Sequence, residues 1–273
     1  MDVRGASAEA VAALTDELTT RVGPGAGSPE AAAAVADSLY SIAQTLRAEA
    51  ALRRFVTDGS VPAEAKVGVV RDVLGTKADA VAIDVVASAV SRRWTSAKDL
   101  AEALEHLSEV AAVRSAGEDA GRLADELFAL GGVVQENPAL RDALSDPARS
   151  LEDKGALLES LLGGKALPAT ITLAKQALGG TYRTVSAALE EYTKVAASVR
   201  DENVATVRVA QPLTDAEQRR LGEALARQYG RQVHLNIVVD PAVLGGIKVE
   251  IGDDVIDGTV ASRLDEARRL LAG

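Results

Sequence analysis

A chain of 273 residues, 47 % of them apolar, can bury one large core or two ordinary ones. Only 3 % of it is aromatic, so that core must come from close-packed alanine- and leucine-rich helices rather than from stacked rings. The formal charge of −10 repels nucleic acid and anionic lipid, and the lack of cysteine removes disulfides, thiol catalysis and thiolate metal sites.

Residues up to about Ala116 are predicted to form helices broken by turn chemistry. A first helix ends near Val22, and the loop Gly23-Pro-Gly-Ala-Gly-Ser-Pro29 follows it. Ser28 caps a second helix with Pro29 at its first position. Ser60-Val61-Pro62 starts another. Thr95-Ser96 can cap the helix carrying Leu100, Leu104, Leu107 and Ala111, whose 3–4 spacing predicts one apolar face.

A second stretch repeats the first. Leu39-Tyr40 through Asp58 lines up with Leu127-Phe128 through Asp146, and Leu52-Arg53 falls on Leu140-Arg141. Further on, Lys66 meets Lys154, Val73-Leu74-Gly75 meets Leu161-Leu162-Gly163, and Trp94 meets Tyr182. After a short deletion, Ala103-Leu104-Glu105 meets Ala188-Leu189-Glu190. The pattern predicts a duplicated helical unit, with too long a period for a solenoid.

From Asn203 the texture changes. Val204–Ala210 alternates as a strand, Thr214-Asp-Ala-Glu217 is a capping box opening a helix to about Tyr229, and Val233–Asp240 is a second strand. Gly245 and Gly246 permit positive φ or close backbone approach. Ile247, Val249 and Ile251 then lie on one face of a third strand, with Lys248 and Glu250 on the other. Gly252-Asp253-Asp254 is a tight turn, and Val255-Ile256 pairs back as a hairpin. Gly258-Thr259 opens a final helix running through Arg263 to Leu271. The expected fold class is α+β, in three parts: helical units over 1–116 and 117–202, then a small α/β domain over 203–273.

No catalytic constellation is expected. The Gly23–Ser28 run lacks both a preceding strand and the Gly-Lys-Ser/Thr end of a phosphate loop. At Leu162-Gly-Gly-Lys165, Ala166 stands where a hydroxyl would be needed, and the glycines fit a helix end. Glu250, Asp253, Asp254 and Asp257 alternate across a hairpin instead of converging on a cation. His106, beside Glu105 and Glu109, is expected to be solvent-facing or partly packed. His234 falls on the strand face opposite Val233, Leu235 and Ile237, and neither histidine has metal or nucleophile spacing. Trp94 and Tyr182 take packing roles, and Arg92-Arg93 is too small a cluster to bind anions against the overall acidity. With no catalytic residue, cofactor or metal in prospect, the chain is expected to be a protein-binding part. No apolar run approaches the roughly 20 residues of a membrane span. Asp2, Glu9, Asp16 and Glu17 do not suit a secretory signal, so a soluble intracellular product is expected.

The C-terminal block carries a resemblance. Asp240, Leu244, Gly245 and Gly246, then Gly252, Asp254, Ile256, Asp257 and Gly258, then Arg263 and Leu264, are similar to the signature of the δ subunit of F-type ATP synthases, the OSCP/delta family. Leu140–Pro147 with Lys154, and Arg200–Val207, resemble that family's helical region and its junction into the C-terminal domain. The chain departs in length by an extra helical stretch, which resembles the actinobacterial form with a duplicated helical domain. The resemblance implies a non-catalytic stator subunit of the F1Fo complex, at the cytoplasmic face of the bacterial membrane and without direct membrane insertion. It implies two partners, the N-terminal helices of α subunits and the b-type peripheral stalk. Duplication suggests contact with more than one α N-terminus, or with one α N-terminus and a b-type helix. In that role the signature residues are structural: the glycines set turns, and Asp254 with Arg263 ties the hairpin to the last helix. A helical adaptor of another intracellular complex would explain the helices but not this block. An enzyme with a cryptic site in the small domain is a further rival.

Overall fold

The computed structural model describes residues 3–23, 27–199, 202–230, 232–241, 243, 245–251 and 254–259. They group into two compact units, 1–196 and 197–273.

In the first unit the helices are α1 (Ala6–Val22), α2 (Pro29–Ala48), α3 (Ala50–Thr57), α4 (Ala63–Leu74), α5 (Ala80–Val90) and α6 (Ala97–Ser115). They continue as α7 (Ala120–Glu136), α8 (Pro138–Ser145), α9 (Leu151–Leu162), α10 (Pro168–Gly179) and α11 (Val185–Val199). The predicted caps are in place. Ser28 accepts from the Ala31 amide with Pro29 following, and Ser96 and Asp99 close a capping box on α6. Gly163 ends α9, and Gly164 takes φ 70° just beyond it.

The helix series recurs with one shift. Helices α3 to α6 begin at residues 50, 63, 80 and 97, and α8 to α11 begin at 138, 151, 168 and 185, each 88 residues later. Local contacts recur too. Arg53 Nη1 donates to the carbonyls of Leu46 and Arg47 at 2.9 and 2.8 Å, and Arg141 Nη1 donates to that of Gln135 at 3.2 Å. Each arginine satisfies carbonyls at the end of the preceding long helix. Lys66 and Lys154 are both buried. The constant shift needs no deletion before α11, so Leu104 falls on Tyr192 rather than on Leu189. All three are buried, which is why alanine- and leucine-rich sequence alone leaves the phase open.

Shifted by the same 88 residues, α1 lands on residues 94–110, within which α6 begins. Helix α6 therefore closes the first series and opens the second. It packs on α1, α2, α3 and α5, and also on α7 and α10. Between Leu100 and Val113 only Glu102 and His106 are not buried. The single apolar face expected for this helix is replaced by burial on almost every side, because two layers of helices claim it.

The second unit holds β1 (Glu202–Val209), α12 (Asp215–Tyr229), β2 (Gln232–Val239), β3 (Ile247–Ile251) and β4 (Asp254–Asp257). The sheet order is β2-β1-β3-β4, with β1 and β2 parallel and the other pairs antiparallel. Thr214 and Glu217 form the predicted capping box of α12. Ala205, Val207, Val209, Val249 and Ile251 form the core with Leu225 of α12, and Leu221, Leu235, Ile237 and Ile247 pack around it. The fold is α+β, a large helical body followed by a small mixed sheet. The predicted final helix lies outside the described residues.

Gly68 sits inside α4, where its counterpart in α9 is Ala156, and a Cβ there would meet nothing within 4 Å. Gly68→Ala is expected to stabilise the chain by about 0.5–1 kcal/mol through backbone entropy. Urea unfolding measures this, and a loss of stability would mean that α4 needs the glycine.

Candidate functional site

Helices α6 and α10 touch along a polar seam, where the Ser108 hydroxyl donates to Gln176 Oε1 at 3.2 Å. Helix α2 lies over both, presenting Tyr40, Gln44 and Arg47 from one face. The Tyr40 hydroxyl donates to the Gln176 carbonyl at 2.9 Å. Gln44 Nε2 and Arg47 Nη1 both donate to the Gly179 carbonyl, at 2.7 and 2.9 Å. Arg47 Nη2 also pairs with Glu105. Glu105 is only 1 % exposed and further accepts from the Thr181 amide at 2.8 Å and the Thr181 hydroxyl at 3.0 Å. A carboxylate is tolerable at this depth because its oxygens are so fully occupied.

One turn on, Glu109 accepts from the Tyr182 hydroxyl at 3.1 Å and lies 3.3 Å from His106 Nδ1. Burial pushes its carboxyl above the usual range, against the opposing pull of His106. Burial and then the Glu105 charge push the Tyr40 phenol up to about 12. The Tyr182 and Tyr192 rings meet edge to face at 5.7 Å. His106 is half-buried, as expected, but the burial of the two glutamates beside it was not. The missed signal was Arg47 and Tyr182, residues able to satisfy a buried carboxylate, at positions nothing in the local pattern joins.

The 88-residue shift carries this seam onto α1 and α5, which also pack directly. Glu105 corresponds to Glu17, Ser108 to Thr20, Glu109 to Arg21 and Gln176 to Ser88. Here Arg21 pairs with Glu17 at 3.1 Å and with Asp84 at 3.2 Å, while Arg71 reaches Asp84 at 3.6 Å. The side chains of Glu17, Arg21 and Asp84 are 24 %, 37 % and 47 % exposed. Among the described residues no helix lies over the outer side of this seam. Among the described residues, the α6–α10 seam is thus covered by α2 and its α1–α5 counterpart has no such cover.

In the second unit the described signature residues lie at the ends of β2 and β3, along β4 and just after it. Gly246 has φ 83°, and a Cβ there would come within 2.4 Å of the Gly258 carbonyl oxygen, so no other residue fits. The Gly258 amide donates to the Ile247 carbonyl at 2.9 Å, and Gly245 also has positive φ. Asp257 accepts from the Thr259 amide and hydroxyl at 2.9 and 2.7 Å, the hydroxyl chiefly holding its carboxyl below the usual range. The Asp240 amide donates to the Val209 carbonyl at 2.8 Å. Asp254 accepts from the Tyr229 hydroxyl of α12 at 3.3 Å. Ile256 is exposed on β4 beside Val255. Leu244, Gly252, Asp253, Arg263, Leu264 and the His234 side chain lie outside the described residues, and with them the expected Asp254–Arg263 tie.

Trp94 donates to the Ala89 carbonyl at 2.9 Å and so serves local packing, whereas Tyr182 belongs to the closed seam. Among the described residues no group of three or more His, Asp and Glu side chains is placed to hold a metal ion.

The family model described as ATP synthase delta (OSCP) subunit matches residues 110–271. The chain belongs to this family. The match begins inside α6, the helix shared by the two series. A delta subunit of Nocardioides sp. is 57 % identical over 272 residues, 99 % of this chain and 98 % of that one. The delta subunit of Streptomyces coelicolor is 41 % identical over 277 residues, 99 % of this chain and 98 % of that one. That of Frankia alni is 41 % identical over 266 residues, 96 % of each. This delta-family chain is accordingly a non-catalytic subunit of an ATP synthase.

Two outcomes are expected. Glu105→Ala leaves Arg47 and Thr181 without their acceptor and should cost about 3–5 kcal/mol in urea unfolding; a loss under about 1 kcal/mol would mean that apolar packing alone holds the seam. Gly246→Val should cost the sheet at least about 2 kcal/mol. An unchanged melting profile would remove its structural role.

Proposed function

We propose that this chain is the stator joint of the F1Fo ATP synthase, linking the α3β3 head of F1 to the b-type peripheral stalk. Its task is to hold the head against rotor torque during proton-driven synthesis. In this reading the helical unit takes N-terminal helices of α subunits, and the C-terminal domain takes the end of the b-type stalk. Near-full-length similarity to delta subunits carries the reading. The helix seams support it, since an amphipathic helix laid into a helical groove is a common way to grip a partner without chemistry. Two moderate contacts on one chain gain strength through effective concentration.

We place the chain at the cytoplasmic face of the bacterial membrane, held there by the complex. No described helix is long and apolar enough to cross a bilayer. The two helical copies, divided in sequence near residue 116, act as one body because they share α6. An adaptor of some other complex has nothing comparable in its favour.

The test is capture on the immobilised full-length chain. F1 stripped of its own delta subunit and a soluble b-type stalk fragment should bind separately and together. Failure to capture F1 would overturn the head assignment, and failure to capture the stalk fragment would overturn the link.

A further inference from the structure

We propose that the α6–α10 seam is a proton-operated latch. One proton shared by His106 and Glu109 keeps the loop after α10 seated on α6, and its loss loosens the junction of the two helical series. The latch is a property of the folded chain and stands apart from the stator reading. Without that proton the charges in the seam do not balance. Glu105 and Glu109 lie one turn apart on α6, both buried, and like charges at that spacing repel. Arg47 pairs with Glu105. Cations on the surrounding helices are engaged elsewhere: Arg21 with Glu17 and Asp84, Arg53 with two carbonyls, Arg122 with Glu126, Lys175 with Glu159, and Lys194 with Glu190 and Glu191. The side chains acting most strongly on Glu109 are His106, Glu105 and Tyr182, and of these only His106 can bring a positive charge. Tyr40 of α2 spends its hydroxyl on the Gln176 carbonyl. Among the described residues the buried Tyr192 hydroxyl of α11 has no hydrogen-bond partner. Burial, and then the Glu109 and Glu105 charges, push its phenol up.

The repeat sharpens the contrast. Shifted back by 88 residues, the positions of His106 and Glu109 hold Leu18, a core residue, and Arg21, a fixed cation. Shifted forward they hold Lys194 and Ala197. Only on α6 do these positions hold a pair that must share a proton. Because burial raises the Glu109 carboxyl, the folded chain holds this proton more tightly than the unfolded one. The stability it gives is complete below the ordinary carboxylate range and is lost as pH rises through the raised value. His106, 27 % exposed, is the route by which the proton leaves to solvent. The carboxylate left behind is buried beside a second one, and water reaches it by lifting Tyr182. Thr181 then leaves Glu105, and the loop comes off α6.

The experiment follows hydrogen exchange of the full-length chain from about pH 5 to about pH 9, corrected for the intrinsic rate, with the Val207 amide of β1 as reference. Wild-type protection of the Thr181 amide should fall relative to Val207 by at least about tenfold, the effect of a one-unit difference in proton affinity. Glu109→Gln, which carries no charge, should hold its protection nearly constant. His106→Gln leaves Glu109 to hold the proton alone, so its loss of protection should move to lower pH. Wild-type protection that does not change with pH overturns the proposal. So does a loss that Glu109→Gln retains, or one that His106→Gln leaves at the wild-type pH. Should Glu109→Gln fail to fold, His106→Gln at the rim of the seam decides: a loss moved to lower pH supports the latch, and an unmoved one overturns it.

Discussion

Everything in the helical body depends on α6 being a core helix for two sets of neighbours at once. A helix of nineteen residues ordinarily offers one stripe to a core and the rest to water. Here it has almost no water-facing surface between Leu100 and Val113. Alanines at 101, 103, 111 and 112 allow close approach from several directions, and leucines at 100, 104 and 107 fill the gaps between layers. Glu105, Ser108 and Glu109 are the polar exceptions, and the two glutamates meet the loop after α10, where the two series come together.

That arrangement suits a part that carries load. Apolar contacts are non-directional and allow sliding at small cost, whereas a carboxylate held by a guanidinium, an amide and a hydroxyl fixes both position and angle. Placing such a cluster inside the junction of the two helical series makes their relative movement expensive. Among the described residues no helix of this body exceeds twenty residues, so its resistance to shear rests on how the helices are joined.

Much of this was legible in the sequence, for reasons that differ by element. Caps at Ser28, Ser96 and Thr214 are local chemistry, and the structure keeps each of them. The alternation in β3 depends only on strand period, and Val249 and Ile251 are buried as it requires. The repeat was legible through its arginines, lysines and turns, but its phase in the last helix was not, because alanine- and leucine-rich turns match at more than one offset. Glu105 was unreadable for another reason. Its partners lie on α2 and beyond α10, and only the packing of distant segments tells a buried carboxylate from a solvated one. The shared role of α6 was hidden similarly, since a boundary near residue 116 looks like any other break between helices.

The sharing of α6 also limits how such a chain can grow. A tandem copy that donates its last helix as the first helix of the next adds five helices instead of six. Each copy added on the N-terminal side covers the exposed seam of its neighbour with its own second helix and leaves only its own seam open, so the number of open seams does not rise. However many copies were strung together, the array would keep a single uncovered face, at the N-terminal end. Lengthening of this kind increases reach and rigidity without increasing valence, and a chain built this way spans more distance for the same number of grips.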